Sequence, residues 1–193
     1  MIFLRWTLDV ERLPRRSIAK AGAALEVCAM SAFQIRLATR ADLEIISQHR
    51  ARMFTEMAEL PVELFETFLA QCKEALHRLL ERNQYIGWLA SPKDQPAQIV
   101  AGAGVLLREV PPHPQSNADG QIDIVSGRQA VIVNVYTEPI WRRRGLAALL
   151  IKRIIDWTRE QGIGSLVLHA SDEGRAVYER LGFIATTEMR FKA

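Results

Sequence analysis

At 193 residues, 49% hydrophobic and 24% charged, the chain carries enough apolar side chain to bury one full domain core. No apolar run approaches the ~18 residues of a membrane span, and the composition is not that of a disordered, collagenous or coiled-coil chain. A net charge of +3 suits anionic ligands but is too small an excess to indicate a nucleic-acid binder by itself.

Residues 1–32 read as an N-terminal extension. "MIFLRWTLDVERLPRRSIAKAGAALEVCAM" lacks sustained periodicity, and Met30 stands immediately before the regular stretch "SAFQIRLATRADLE". "RRSIAKAGAALEVCAMSA" resembles a twin-arginine export signal. Glu26 interrupts its apolar part, however, and the cleavage pattern is poor. A mis-assigned start or a loosely attached extension is preferred over export. Cys28 and Cys72 have neither metal-ligand spacing nor an arguable pairing, which fits a reduced, cytoplasmic setting.

From Phe33 the pattern turns regular, and 33–193 reads as one domain. "FQIRLA" alternates as a strand; "TRADLEIISQHRARMF" reads as a helix with Thr39 as N-cap and Asp42 three residues on. "PVELFETFLAQCKEALHRLLERN" is a second helix, opened by Pro61, with Leu64, Phe68, Cys72, Leu76 and Leu79 along one face. "YIGWLA" and "QIVAGAGVLLREV" are strands; Gly102 and Gly104 weaken the second unless a bulge or a close approach is wanted there. The stretch from Pro112 to Gly127 reads as a long irregular loop. "RQAVIVNVYTEP" is apolar enough for a central strand. The helix after it carries Leu146, Leu150, Ile154 and Trp157 as its inner stripe and ends at Gly162 and Gly164. "SLVLHA", "EGRAVYERLG" and "FIATTEMRFK" close the chain as strand, helix and strand. The order β-α-α-β-β-β-α-β-α-β implies an α/β chain, a mixed sheet with helices on both faces.

"TEPIWRRRGLAALL" places a Pro, three arginines and a Gly before a long helix. It is either a solvated helix start or a phosphate cradle, because helix N-termini present unpaired N–H groups and positive dipole. Arg142-Arg143-Arg144-Gly145-Leu146-Ala147 fits the [RQ]-x-x-G-x-[GA] signature of the GNAT superfamily of acetyl-CoA-dependent N-acetyltransferases, preceded by the strand and Pro turn of "VIVNVYTEP". Tyr178-Glu179-Arg180-Leu181-Gly182-Phe183 fits its Tyr-x-x-x-Gly-Phe pattern. With the matching element order, the resemblance runs from Phe33 to Ala193.

The resemblance implies a single GNAT-like domain whose parallel strand pair splays to admit acetyl-CoA. Backbone N–H groups from Arg143 to Ala148, through Leu146 and Ala147, would meet the pyrophosphate, with Gly145 removing an obstructing side chain. Arg142, Arg143 and Arg144 would add mobile positive charge. Main chain of Val135, Tyr136 and Thr137 would pair with the pantetheine arm, and a free N–H there would hold the developing oxyanion. Tyr178 stands where the family commonly has the acid that protonates the CoA thiolate; a half-buried packing tyrosine is the alternative. Ser171 stands where a cofactor-contacting Asn is frequent.

His169, ending its strand, is the candidate base, with an imidazole suited to neutral pH; a satisfied strand-end His is the alternative and Glu138 the runner-up. His49, His77 and His113 show no metal spacing and receive no role, so no metal is expected. The implied activity is direct acetyl transfer to a primary amine of a small molecule or peptide, without a covalent acetyl-enzyme. The first two helices and the long loop would bind the acceptor. A non-catalytic acyl-CoA-sensing module is the alternative. Neither nucleic acid nor membrane is an expected partner, and pairing into a homodimer stays open.

Overall fold

The structure, a computed structural model, describes residues 32–116, 119–186 and 189. Strand β1 (Phe33–Leu37) leads into α1 (Leu43–Glu56) and α2 (Phe65–Glu81), then β2 (Tyr85–Pro92), β3 (Ala101–Ser116) and β4 (Ile122–Thr137). Helix α3 (Leu146–Glu160), β5 (Ser165–Leu168) and α4 (Asp172–Arg180) follow. Except for residue 32, the expected extension lies outside the described residues, as does half of the expected closing strand, residues 187, 188 and 190–192. Residues 183–186 carry no strand.

The sheet order is β1-β2-β3-β4-β5, antiparallel through β4 and parallel between β4 and β5. This is the mixed α/β sheet expected. Alternation along β2 separates its two faces: Trp88 and Ala90 join the core under α3, whereas Tyr85 and Leu89 join that under α1 and α2. The stripe of α3 is buried at Leu146, Leu150, Ile151 and Ile154, and Trp157 meets Trp88 edge-on at 5.3 Å.

The entry to α1 follows the expected cap. Thr39 N–H and Oγ1 both donate to Asp42 Oδ2, at 2.8 and 2.9 Å, and Arg36 clamps the same carboxylate. Together, chiefly through Arg36, they hold the Asp42 carboxyl down at about 2. On α2, Leu69, Cys72 and Leu76 are buried. Leu64 departs from its expected face: it lies in the 3-10 turn Val62–Leu64 before the helix and is half exposed.

Two expectations about β3 and β4 resolve differently. The stretch from Pro112 is not an irregular loop. Val110 to Ser116 pairs with Ile122 to Gly127 as the outer arm of a long hairpin. A register shift between Val110 and His113 takes up Pro111 and Pro112, which cannot donate to a regular ladder. The glycines of β3 answer to close approach as well as to a bulge. A Cβ at Gly104 would lie 2.3 Å from the Tyr85 hydroxyl, and one at Gly102 would lie 3.2 Å from His49 Nδ1.

Candidate active site

The parallel ladder between β4 and β5 stops at Ile132 opposite Leu168. Beyond it, residues 133–137 of β4 continue to pair with β3, and among the described residues no strand pairs with their other edge. Their peptide groups therefore border a gap at the C-terminal ends of the parallel strands, where open α/β sheets place ligands. A bulge lies within this segment. Gly102 faces Tyr136 and Gly104 faces Val133, leaving Asn134 and Val135 opposite Ala103 alone. Asn134 takes φ +57°, uncommon for a non-glycine residue. The extra residue changes the alternation, so Val133 and Asn134 both face α1 and α2, while Val135 packs against the α3 core.

Pro139 opens a short 3-10 turn ending at Trp141, and α3 then starts at Leu146 with Gly145 as its N-cap. Gly145 has φ +81°, left-handed backbone that glycine adopts without steric cost. No described side chain caps α3, its first turn carries no acidic residue, and its ladder begins with Leu149 N–H donating to the Gly145 carbonyl at 3.0 Å. Leu146 is buried and Ala147 and Ala148 are half-buried, so the first N–H groups form a bare, positively polarised helix end beside the gap.

The three consecutive arginines have different surroundings. Arg142 Nε donates to the Thr137 carbonyl at 2.9 Å, its guanidinium pairs with Glu56, and it lies 5.7 Å from the Tyr136 ring centre. Arg144 stacks on Trp141 at 4.7 Å and donates to the Ile140 carbonyl at 3.3 Å. Arg143 is exposed, with no ion pair among the described residues, and takes φ +61° in the turn. Arg143 is thus left without a charged partner among the described residues, while Arg142 is an anchor tying α1 to the end of β4.

A polar cluster unforeseen in the sequence lies beside the bulge. Tyr136 Oη donates to Glu56 Oε1 at 2.9 Å. Burial, then the acceptor Glu56, pushes that phenol up to about 12. Glu138 Oε1 accepts from Arg52 at 2.6 Å and lies 3.6 Å from His49 Nε2. The His49 ring is 1% exposed, sits 5.0 Å from that of Tyr136, and has no hydrogen-bond partner at either nitrogen. Burial, with Arg52's charge, brings it down to about 4. One sequence signal existed for His49, a polar residue three positions after Ile46 on the buried stripe of α1.

Tyr178 on α4 is half-buried against the core that Val135 and Leu168 also join, with its ring 6.1 Å from Phe183. Burial raises its pKa, which keeps the hydroxyl protonated at neutral pH. His169 lies exposed one residue beyond β5. Ser171 Oγ accepts from Gly174 N–H at 3.2 Å and caps α4, so this hydroxyl already has structural work.

A family model for the acetyltransferase (GNAT) domain matches residues 116–193. No curated protein matches the chain. Among solved structures, a GCN5-related N-acetyltransferase from Ralstonia eutropha JMP134 is 30% identical with a TM-score of 0.72, the alignment covering 83% of this chain and 98% of that one. A predicted acetyltransferase from Clostridium acetobutylicum, solved with acetyl-CoA, is 25% identical with a TM-score of 0.66, covering 83% and 96%. Glucosamine-6-phosphate N-acetyltransferase from Arabidopsis thaliana, 14% identical over 83% and 97% with a TM-score of 0.53, shares the fold alone. The open edge of β4 and the bare start of α3 thus lie in a fold shared along nearly the whole length of a 30% identical relative, and the chain belongs to the GCN5-related N-acetyltransferase superfamily.

Proposed function

We propose that the protein transfers the acetyl group of acetyl-CoA to a primary amine by direct attack in a ternary complex. The observation that carries this reading is the edge of β4 at 133–137, which no described strand pairs, beside the N-terminus of α3, which no described side chain caps. A pyrophosphate fits that terminus: the first-turn N–H groups lack partners within the helix, no acid repels an anion, and Gly145 presents no side chain. Acetyl-CoA supplies an activated thioester when bound. Main chain of Val135, Tyr136 and Thr137 would pair with its pantetheine arm, and Arg143 is the side chain placed to reach a phosphate.

In this reading the hydroxyl of Tyr178 gives its proton to the departing thiolate, and His169 takes one from the attacking amine. The C. acetobutylicum relative, solved with acetyl-CoA, supports the choice of donor. Residues 33–193 form the catalytic domain.

Calorimetry with Gly145→Glu tests the cradle. The substitution sets bulk and negative charge at a backbone position of φ +81°, so acetyl-CoA binding is expected to collapse in a folded variant. Unchanged affinity would remove the proposed donor site. Retained acetyl-CoA binding in the unmodified chain, with no thiol release in the presence of any amine, would favour a sensing module over an enzyme.

A further inference from the structure

A cavity of about 260 Å³ lies between α1, α2 and the sheet, on the face to which the β4 bulge turns Asn134. Phe68, Leu76, Leu106 and Val133 give it apolar walls, and Arg50 and Asn134 provide polar atoms. Its volume falls below the ~300–1,000 Å³ of clefts for drug-sized ligands, which suits a small acceptor. Arg50 is half-buried, stacks on Phe54 at 4.9 Å, and donates to Asn134 Oδ1 at 2.5 Å. Among the described residues no carboxylate pairs with it, in contrast to Arg52 and Arg142 of the adjoining cluster.

We infer that this cavity is the acceptor site and that it takes a free α-amino acid with an apolar side chain. The inference rests on the acyl-transfer reading above and names its substrate class. A guanidinium beside apolar walls is matched by a carboxylate, whose two oxygens fit its fork of donors. With the carboxylate on Arg50, the α-amine one carbon away lies toward Asn134, in the bulge that borders the open edge of β4. The side chain then runs along the Phe68 and Leu76 wall. Polyamines and aminoglycosides meet both apolar walls and an arginine of their own charge sign, and are poor acceptors here.

The test measures thiol release from acetyl-CoA by the full chain, comparing L-phenylalanine and L-leucine with phenethylamine and 3-methylbutylamine, the same molecules without the carboxylate. Spermidine and a lysine-containing peptide complete the panel. The amino acids are expected to react, with kcat/KM exceeding that of their decarboxylated counterparts by roughly 10- to 100-fold, the size of one charge-assisted hydrogen bond. Arg50→Gln is expected to close that gap by raising KM for the amino acids alone. Ala75→Phe, which fills the cavity from α2, is expected to stop their turnover, with acetyl-CoA binding by calorimetry intact in both variants.

Equal or faster reaction of the decarboxylated amines, spermidine or the peptide overturns the inference, using the unmodified chain alone. An equal loss for both substrate classes in Arg50→Gln overturns the role of that arginine in binding carboxylate. Absence of acetyl-CoA binding in the unmodified chain overturns the acyl-transfer reading and takes this inference with it. Acetyl-CoA binding with no amino acid acetylated overturns the inference and leaves that reading standing.

Discussion

Lowering the pH asks His49 to accept a proton where solvent barely reaches. The ring is 1% exposed and neither nitrogen has a hydrogen-bond partner. The Glu138 carboxylate, 3.6 Å from Nε2, favours the imidazolium, but Arg52 holds the same oxygen at 2.6 Å. Burial prevails, with Arg52's charge acting in the same direction, and brings the group from 6.5 to about 4. The unfolded chain therefore binds this proton first, and stability rises with pH across the interval. The contribution is whole above about pH 6.5, declines as pH falls, and is lost below about 4.

That depression corresponds to about 3 kcal/mol. It is a large share of the ~5–15 kcal/mol typical of a native domain, and shifts the melting temperature by roughly 10 °C in a chain of this size. His49→Leu keeps an apolar filling and removes the titration. Urea unfolding of both proteins between pH 7 and 4 isolates the term, because His77, His113 and His169 are retained in both. Asp42 acts in a lower window, since its stabilisation is lost as pH falls from 3.8 through about 2. The unmodified protein is expected to lose about 3 kcal/mol more than His49→Leu over the interval. Parallel pH profiles for the two proteins would refute the reasoning, as would an NMR titration placing His49 near 6.5.

Tyr178→Phe is expected to lower turnover by ~10²–10⁴-fold, with acetyl-CoA binding by calorimetry nearly unchanged; turnover near that of the unmodified enzyme would leave the tyrosine a packing residue only. The acidic limb of kcat/KM is expected to shift or vanish in His169→Gln, and an unmoved limb would transfer the base to Glu138 or a water relay. Gly104→Ala forces a methyl against the Tyr85 ring, 2.3 Å from its hydroxyl in the present packing. Because Tyr85 is itself buried, the expected loss is ~1–3 kcal/mol, read from the urea midpoint.

The turn and helix start proposed as the cradle were legible in the sequence because their determinants are local: a strand, a proline turn, a glycine and an apolar stripe on the helix that follows. The hairpin arm was not, because Pro111, Pro112 and Pro114 signal a loop, and the register shift that accommodates the first two is a property of the paired strand. The cluster beside the bulge was hidden for a different reason. Arg50 with Asn134, Arg52 with Glu138, and Glu56 with Tyr136 are each at least 80 positions apart.

The three arginines show what that distance conceals. Adjacent and chemically identical, they support one expectation of mobile positive charge at a helix start. Their roles separate only when partners arrive from other elements. Glu56 of α1 pairs with Arg142, the Trp141 ring receives Arg144, and Arg143, turned outward at φ +61°, keeps its charge for solvent or an incoming anion. Anchoring Arg142 also serves the neighbouring edge, since its Nε donates to the carbonyl of Thr137, the last residue of β4. One guanidinium thereby joins α1, the end of β4 and the turn into α3. In the proposed phosphate site the fixed positive character would come from the first N–H groups of α3, and the exposed Arg143 would add a side-chain charge.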